Sequence, residues 1–290
     1  MTKMTFTNAR GEFVEFSAAS KYRWLSVDDL GGAEAVQQTV ASPYQDGVTA
    51  TGDSYYMMRT LDVTLAVIDA DLRTAIRDLN TVLNPKLGMG ALLYEDGPVR
   101  RSLDRVKVRK LPTLPDGGSR GARVQLTHIL LDAYDPLYTD GVDTEVTLGS
   151  VGDAFQFPLD ITDSFEFDYV SAGGVPVVNG GDVPCPLELT VTGPVAAPLV
   201  LANLATGEDI VVDIAVLAGE RLHISTGVAD TSVILEDIAT GERVSAFQYI
   251  DVSATTFFLL GIGSNYLSVT ADGEPYFGAV LSYRQRYVGL

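Results

Sequence analysis

The residues able to do chemistry are few, and they stand apart from one another. His128 lies between Thr127 and Ile129, and His223 between Leu222 and Ile224. Both stretches alternate apolar and polar residues, so each imidazole reads as one side chain of a sheet, not as a base or a ligand. Cys185 is the single cysteine and is flanked by Pro184 and Pro186. It excludes an internal disulfide framework and is expected as a packed or partly exposed thiol. Three acidic pairs, Asp160 with Asp163, Asp28 with Asp29, and Glu236 with Asp237, offer the oxygen ligands that Ca²⁺ takes. None falls in an EF-hand loop, and Asp69 with Asp71 suits a helix first turn better. The chain has no Gly-x-Ser-x-Gly elbow, P-loop, dinucleotide fingerprint or His-Glu-x-x-His motif. The expectation is a protein that is not an enzyme and has no catalytic residue, cofactor or metal.

What remains is surface chemistry. The run Arg100-Arg101…Arg105-Val106-Lys107-Val108-Arg109-Lys110 alternates so that Arg105, Lys107 and Arg109 share one face of a strand. No aromatics are interleaved, so it makes a poor platform for stacking bases. Contact with an acidic protein surface is the preferred reading, and sequence-specific nucleic-acid binding is not expected. A sugar would need an exposed aromatic platform. Trp24 is in the first half, and the second half offers Phe155, Phe157, Phe165, Phe167, Tyr169, Tyr249, Tyr266 and Tyr276. Most of these occupy alternating strand positions, where burial is expected.

Charge divides the chain. Residues 1–139 hold 16 Lys+Arg and 17 Asp+Glu, whereas residues 140–290 hold 4 and 21. Every lysine is in the first part. A step from −1 to −17 suggests two domains facing different surroundings. At 290 residues, with 46% hydrophobic content, each part can bury its own core. The sequence pI near 4.3 speaks against attraction to nucleic acid or an anionic membrane. No apolar run is long enough to span a bilayer, and the start shows no secretory signal.

The elements that must position these residues are mostly strands. Met4–Thr7 and Glu12–Phe16 read as a hairpin and Tyr22–Val27 as a third strand. Residues 33–54 are polar and rich in turn formers, a long excursion or arm with little core of its own. Tyr55–Val67 reads as a strand with Met57, Leu61, Val63, Leu65 and Val67 on one face. Asp69 is then expected to cap a helix over 69–84, whose stripe is Leu72, Ala75, Ile76, Leu79, Val82 and Leu83 and whose end is Asn84-Pro85. Strands follow at 91–94, 99–102, 104–111 and 122–131, with a loop or tip at 112–121. The second half shows short strands at regular spacing: 145–148, 155–158, 165–169, 187–192, 199–203, 209–216, 221–225, 233–237, 256–260, 266–270 and 279–287. Gly- or Asp-rich turns separate them, the pattern of a β-sandwich.

The order of these elements resembles the distal tail protein family of long-tailed (siphovirus-type) phages with non-contractile tails. The resemblance rests first on Phe6-Thr7-Asn8-Ala9-Arg10-Gly11, Tyr22–Val27 with Leu30-Gly31-Gly32, Gln45-Asp46-Gly47, and the strand opening at Arg59. It continues through Leu83-Asn84-Pro85, Ala91–Tyr94 with Asp96-Gly97, and the exit Leu131-Asp132-Ala133-Tyr134-Asp135-Pro136. In the second half it rests on Asn179-Gly180-Gly181-Asp182-Val183-Pro184, Val191-Thr192-Gly193 and Phe257–Asn265.

That resemblance implies a mainly β fold: a β-rich ring-forming domain with one α-helix over 1–139 and a peripheral galectin-like β-sandwich over 140–290. It implies a structural virion protein at the distal tail tip, made in the host bacterial cytoplasm. Such a protein closes into a homo-oligomeric ring, typically a hexamer. It joins the tail tube protein to the tail-tip hub protein and the host-attachment apparatus, with the tape measure and receptor-binding proteins as further partners. The second half lacks the galectin sugar set of His, Asn, Arg and Trp. A carbohydrate-binding adhesin module is the alternative, and a connector in a gene-transfer agent is another. Neither membrane insertion nor sequence-specific nucleic-acid binding is implied. The expected contact elements are the arm with Tyr44, Gln45 and Asp46, the tip with Pro112 and Pro115, and the cations Arg105, Lys107 and Arg109. In a ring, any repulsive lumen must come from acidic residues within 1–139.

Overall fold

The computed structural model describes residues 2–44, 46–114, 121–148, 174–227, 229–272 and 277–290. They form two compact units, residues 1–141 with 286–290, and residues 142–285. The expected strands at 155–158 and 165–169 lie outside the described residues, as do Gln45, Pro115, Asp160, Asp163 and Tyr276.

Alternation builds the first unit. β1 (Lys3–Thr7) and β2 (Phe13–Ser17) bury Met4, Phe6, Val14 and Phe16, the apolar member of each alternating pair. Their turn is held by Asn8, whose side-chain oxygen accepts the Arg10 and Glu12 amides at 2.9 and 3.1 Å. After β3 (Tyr22–Asp28) the chain forms two short ladders: β4 (Ala35–Val36) with β7 (Tyr55–Tyr56), and β5 (Thr39–Val40) with β6 (Thr49–Ala50). β8 (Arg59–Ile68) buries Leu61, Val63, Leu65 and Val67. The expected strand from Tyr55 is therefore broken. Tyr55 and Tyr56 belong to the arm, and Met57 is exposed instead of joining the core face.

One α-helix follows, α1 (Leu72–Val82). Its stripe buries Ala75 and Leu79 as the spacing predicts. The cap is Asp71, not Asp69. The Asp71 side chain accepts the Arg73 and Thr74 amides at 3.2 Å, while Asp69 accepts the Asp71 amide at 2.9 Å. Pro85 cannot continue the helix, and Asn84 caps a short 3₁₀ turn there.

Then come β9 (Gly90–Asp96), β10 (Val99–Lys110), β11 (Val124–Ala133) and β12 (Tyr138–Thr139). The expected strands 99–102 and 104–111 are one element. The sheet runs β2-β1-β9-β10-β11-β8-β3, all antiparallel. Gly90 is needed where β9 crosses close to β1, since a Cβ there would lie 2.2 Å from the Thr7 carbonyl oxygen.

The second unit packs two antiparallel sheets on one apolar core that includes Leu187, Leu189, Leu201, Ile210 and Leu267. Its strands are β13 (Thr144–Thr147), β14 (Val175–Asn179), β15 (Leu187–Thr192), β16 (Leu199–Asn203), β17 (Glu208–Val212), β18 (Glu220–Ser225), β19 (Ser232–Asp237), β20 (Arg243–Ser245), β21 (Gly263–Ala271) and β22 (Gly278–Tyr283). One sheet is β13-β22-β15-β18-β19-β20 and the other β14-β21-β16-β17. The expected strand 256–260 is irregular, with only a bridge from Leu260 to Cys185.

Two motif asparagines fix the loops that meet at that bridge. Asn179 Nδ2 donates to the Val183 and Leu260 carbonyls at 3.0 and 3.1 Å, and Asn265 both accepts from the Gly261 amide and donates to its carbonyl. Buried amides satisfied in this way hold a loop geometry that apolar side chains cannot specify.

The expected last strand 279–287 is divided. β23 (Arg286–Tyr287) leaves the sandwich and pairs with β12, Tyr138 opposite Tyr287. The tail 286–290 thus belongs to the first unit, whereas the sequence placed it in the second.

Candidate functional site

The arm is a hairpin without a core. Ladder bonds hold its legs, including Met57 amide to Glu34 carbonyl at 3.0 Å and Thr51 amide to Gln38 carbonyl at 2.8 Å. From Ala33 to Met58 no described residue is buried, and Tyr44 at the tip is fully exposed. Val40, Val48, Tyr55, Tyr56, Met57 and Met58 are also exposed. An isolated two-stranded hairpin is marginal in water, and this one leaves its apolar side chains exposed.

The cationic strand differs from simple alternation. Val106 and Val108 are buried, and Arg105, Lys107 and Arg109 are exposed. Two register shifts interrupt the ladder, one between Leu103 and Val106 and one between Val108 and Lys110. Arg105 sits in the first with φ of 57°, a left-handed conformation that no glycine signals in the sequence. Arg109 sits in the second and is committed. Its Nε donates to Asp132 at 2.7 Å and its Nη2 to Thr60 Oγ1 at 3.1 Å. Arg105, Lys107 and Lys110 make no ion pair among the described residues. At the nearby tip Pro112 is half-buried, and Thr127 Oγ1 donates to the Thr113 carbonyl at 2.7 Å.

Several residues of the resemblance converge on one buried side chain, Arg59. Its Nη1 donates to the Asp29 and Gly31 carbonyls at 2.9 and 2.6 Å and to Tyr138 Oη at 3.3 Å. Its Nε and Nη2 donate to the Pro136 and Val288 carbonyls, both at 3.2 Å. The guanidinium also stacks on the Tyr138 ring, 4.7 Å from its centroid. Tyr138 Oη donates in turn to the Leu30 carbonyl at 2.7 Å, and burial pushes that phenol up to about 12. Arg59 therefore ties together the arm's root at 29–31, the exit at Pro136 and the C-terminal tail. The tail is tied further by Arg286 to Asp135 and by Arg101 stacked on Tyr287. Sequence reading placed Arg59 only as a strand start. Its acceptors are backbone carbonyls, which carry no residue signature.

Among the described residues, those first considered for chemistry lie apart from one another, except where His223 meets Glu236. Cys185 is fully buried in the sandwich core. His128 Nδ1 lies 3.5 Å from Asp62. His223 accepts or donates at Thr190 Oγ1 (3.1 Å) and meets Glu236 at 2.7 Å, and Arg243 reaches the same Glu236 oxygen at 3.1 Å. The His223 bond and then the Arg243 charge hold the Glu236 carboxyl below the usual carboxylate range. Asp28 and Asp29 are separate in role, since Asp29 has φ of 64° and offers its carbonyl to Arg59. Among the described residues, no group of three or more His, Cys, Asp or Glu is arranged to hold a metal. Tyr249 and Tyr266 are exposed, contrary to the expected burial. No helix among the described residues is long and apolar enough to cross a membrane.

Residues 22–127 match the family model described as a phage tail protein RIFT-related domain. That span runs from β3 through the arm, Arg59, α1 and β10 into β11. No curated protein matches the sequence. Among solved structures, the Dit protein (gp 19.1) of phage SPP1, a hub adsorption apparatus protein of phages infecting Gram-positive bacteria, aligns over 98% of both chains. The TM-score is 0.68 and the identity 14%. A chain of the phage P2 baseplate in its activated conformation with Ca aligns over 98% of both chains, at TM-score 0.56 and 12% identity. A phage p2 baseplate chain in the activated conformation with Sr aligns equally, at 0.56 and 12%. The fold is thus that of the distal tail protein the sequence resembles: mainly β with a single helix among the described residues and a two-sheet sandwich in the second unit.

Proposed function

We propose that this chain is a structural protein of a phage tail. It closes into a ring at the distal end of the tail and joins the tail tube to the tail-tip hub and host-adhesion apparatus. The observation that carries the reading is the alignment with a phage hub protein over 98% of both chains, which takes in both units and not one common domain alone. The exposed hairpin supports it, because a head-to-tail contact that closes gives a cyclic oligomer. On this reading the role is mechanical, and residues 142–285 form a peripheral sandwich outside the ring.

Electron microscopy of particles carrying a gold label at the C terminus tests it. Label in a ring at the tail tip is expected. Label on the capsid or along the tube, with no ring at the tip, would sink the reading. A second reading, carbohydrate binding by the sandwich, is favoured only by the exposed Tyr249 and Tyr266. Saturable binding on a glycan array, lost in Tyr266→Ala, is its signature.

A further inference from the structure

Two surfaces of the first unit are electrostatically unmatched within one chain, and they complement each other. The arm between Ala33 and Met58 carries Glu34, Asp46 and Asp53 and no lysine or arginine. None of these three carboxylates makes an ion pair or a side-chain hydrogen bond among the described residues. Asp132 of β11 is consumed by Arg109 and Thr60, which leaves Arg105, Lys107 and Lys110 of β10 exposed and without an ion pair among the described residues. The register places both surfaces at one end of the sheet. Arg59, where the arm rejoins it, lies beside Ala133, and Ala133 lies beside Val106. An extended leg from Ala33 to Tyr44 spans at most about 36 Å, more than the roughly 30 Å across a small domain. The arm is long enough to reach past its own unit.

We propose that the acidic arm of one copy docks on the Arg105–Lys110 stretch of an adjacent copy, with the tip carboxylate Asp46 against Arg105 and Lys107. This rests on the ring reading above and names the two surfaces that join. Arm and cationic strand are different surfaces, so the contact is head-to-tail, the kind that propagates around a ring. Exposed ion pairs contribute little affinity each, but they steer the encounter and set its register. The exposed aromatic side chains Tyr44, Tyr55 and Tyr56 supply the contact area.

The test uses the full chain assembled into tails, as the double variant Asp46→Cys/Lys107→Cys, treated with a short bifunctional thiol cross-linker. Cys185 is fully buried and gives little background. A ladder of covalent oligomers ending at ring size is expected, absent from either single variant. Rings at the tail tip without the ladder, or a link confined to monomer mass, would overturn the docking and leave the ring standing. Absence of any ring overturns the ring reading itself. Charge exchange gives a second readout. Asp46→Lys or Lys107→Glu alone should lower incorporation into tails about tenfold, and the pair together should restore it. Failure of the pair to recover, with each chain folded by circular dichroism, counts against the contact.

Discussion

Arg59 shows how one side chain can organise a surface it does not reach. It is 2% exposed and has no carboxylate partner among its hydrogen bonds. Its charge is instead solvated by four backbone carbonyls and a phenol. The planar fork of guanidinium donors suits this geometry, and a lysine ammonium does not. Arg59→Met leaves the Asp29, Gly31 and Pro136 carbonyls without this donor at about 1–3 kcal/mol each, whereas the Val288 carbonyl keeps the Ala33 amide. Because some of them can relax toward water, the expected net loss is about 3–5 kcal/mol. Arg59→Lys should recover only part of it. Urea unfolding followed by Trp24 fluorescence measures this, since Trp24 is the only tryptophan and packs in the first unit against Tyr94. Tyr138→Phe removes two links of the same network, the bond to the Leu30 carbonyl and the bond accepted from Arg59, and should cost about 1–2 kcal/mol. With its phenol pushed up to about 12, the bond it donates persists throughout the neutral range. An unchanged midpoint in Arg59→Met would mean that the root of the arm is held by something else.

At the scale of elements, the tail 286–290 is a small strand with several attachments. β23 pairs with β12, Arg286 meets Asp135, Tyr287 receives Arg101, and the Val288 carbonyl accepts both the Ala33 amide and Arg59. Deleting residues 286–290 should therefore lower the melting temperature of the first unit by several degrees and expose the arm's root to proteolysis between 29 and 33. A full-length melting profile in the truncated chain would refute this. The α1 cap gives a pH-dependent counterpart. Hydrogen bonds from the Thr74 hydroxyl and amide lower the Asp71 carboxyl from its ordinary 3.8. A depressed folded-state pKa gives stability that is present above 3.8 and lost as pH falls through the folded value. Asp71→Ala should lower the midpoint at pH 7 by about 2–4 °C. Asp71→Asn, which keeps an oxygen acceptor at the cap, should lose less, and only the alanine variant should converge with the parent in acid.

These elements also show what a sequence can and cannot display. The α1 stripe and the strands 187–192 and 199–203 repeat at 3.6 or 2 residues, so periodicity located them. The arm reads as an excursion because its ladders are only two residues long and pair across 9 to 21 positions. The return of β23 depends on a partner 149 positions back, Tyr138 opposite Tyr287, and leaves no local trace. Arg105 and Arg109 alternate in sequence, yet bulges set one in a left-handed turn and commit the other to Asp132, neither marked by glycine or proline.

For the whole molecule, the charge step along the sequence is equally a step between the two units. The first unit, with its returning tail, holds 17 Lys+Arg and 18 Asp+Glu, and the second holds 3 and 20. Of those three arginines, Arg284 is bound to Asp143 and Arg243 to Glu236. Copies of this chain thus repel through their −17 units while the proposed arm contact attracts through a few adjacent opposite charges. The two forces differ in range, so salt separates them. Near 0.01 M the screening length is about 30 Å, and the diffuse repulsion between copies acts in full. At about 0.15 M it shortens to roughly 8 Å, which removes most long-range repulsion but spares charges in contact. At 1 M, with about 3 Å, contact pairs weaken as well. Self-association should therefore rise from low to physiological salt and fall again toward 1 M, as read by sedimentation velocity. Replacing Lys107 with Glu should abolish the fall, because the attractive term is then gone. Association that climbs steadily to 1 M in the parent chain would instead assign the contact to the exposed tyrosines and methionines of the arm, with its carboxylates as bystanders.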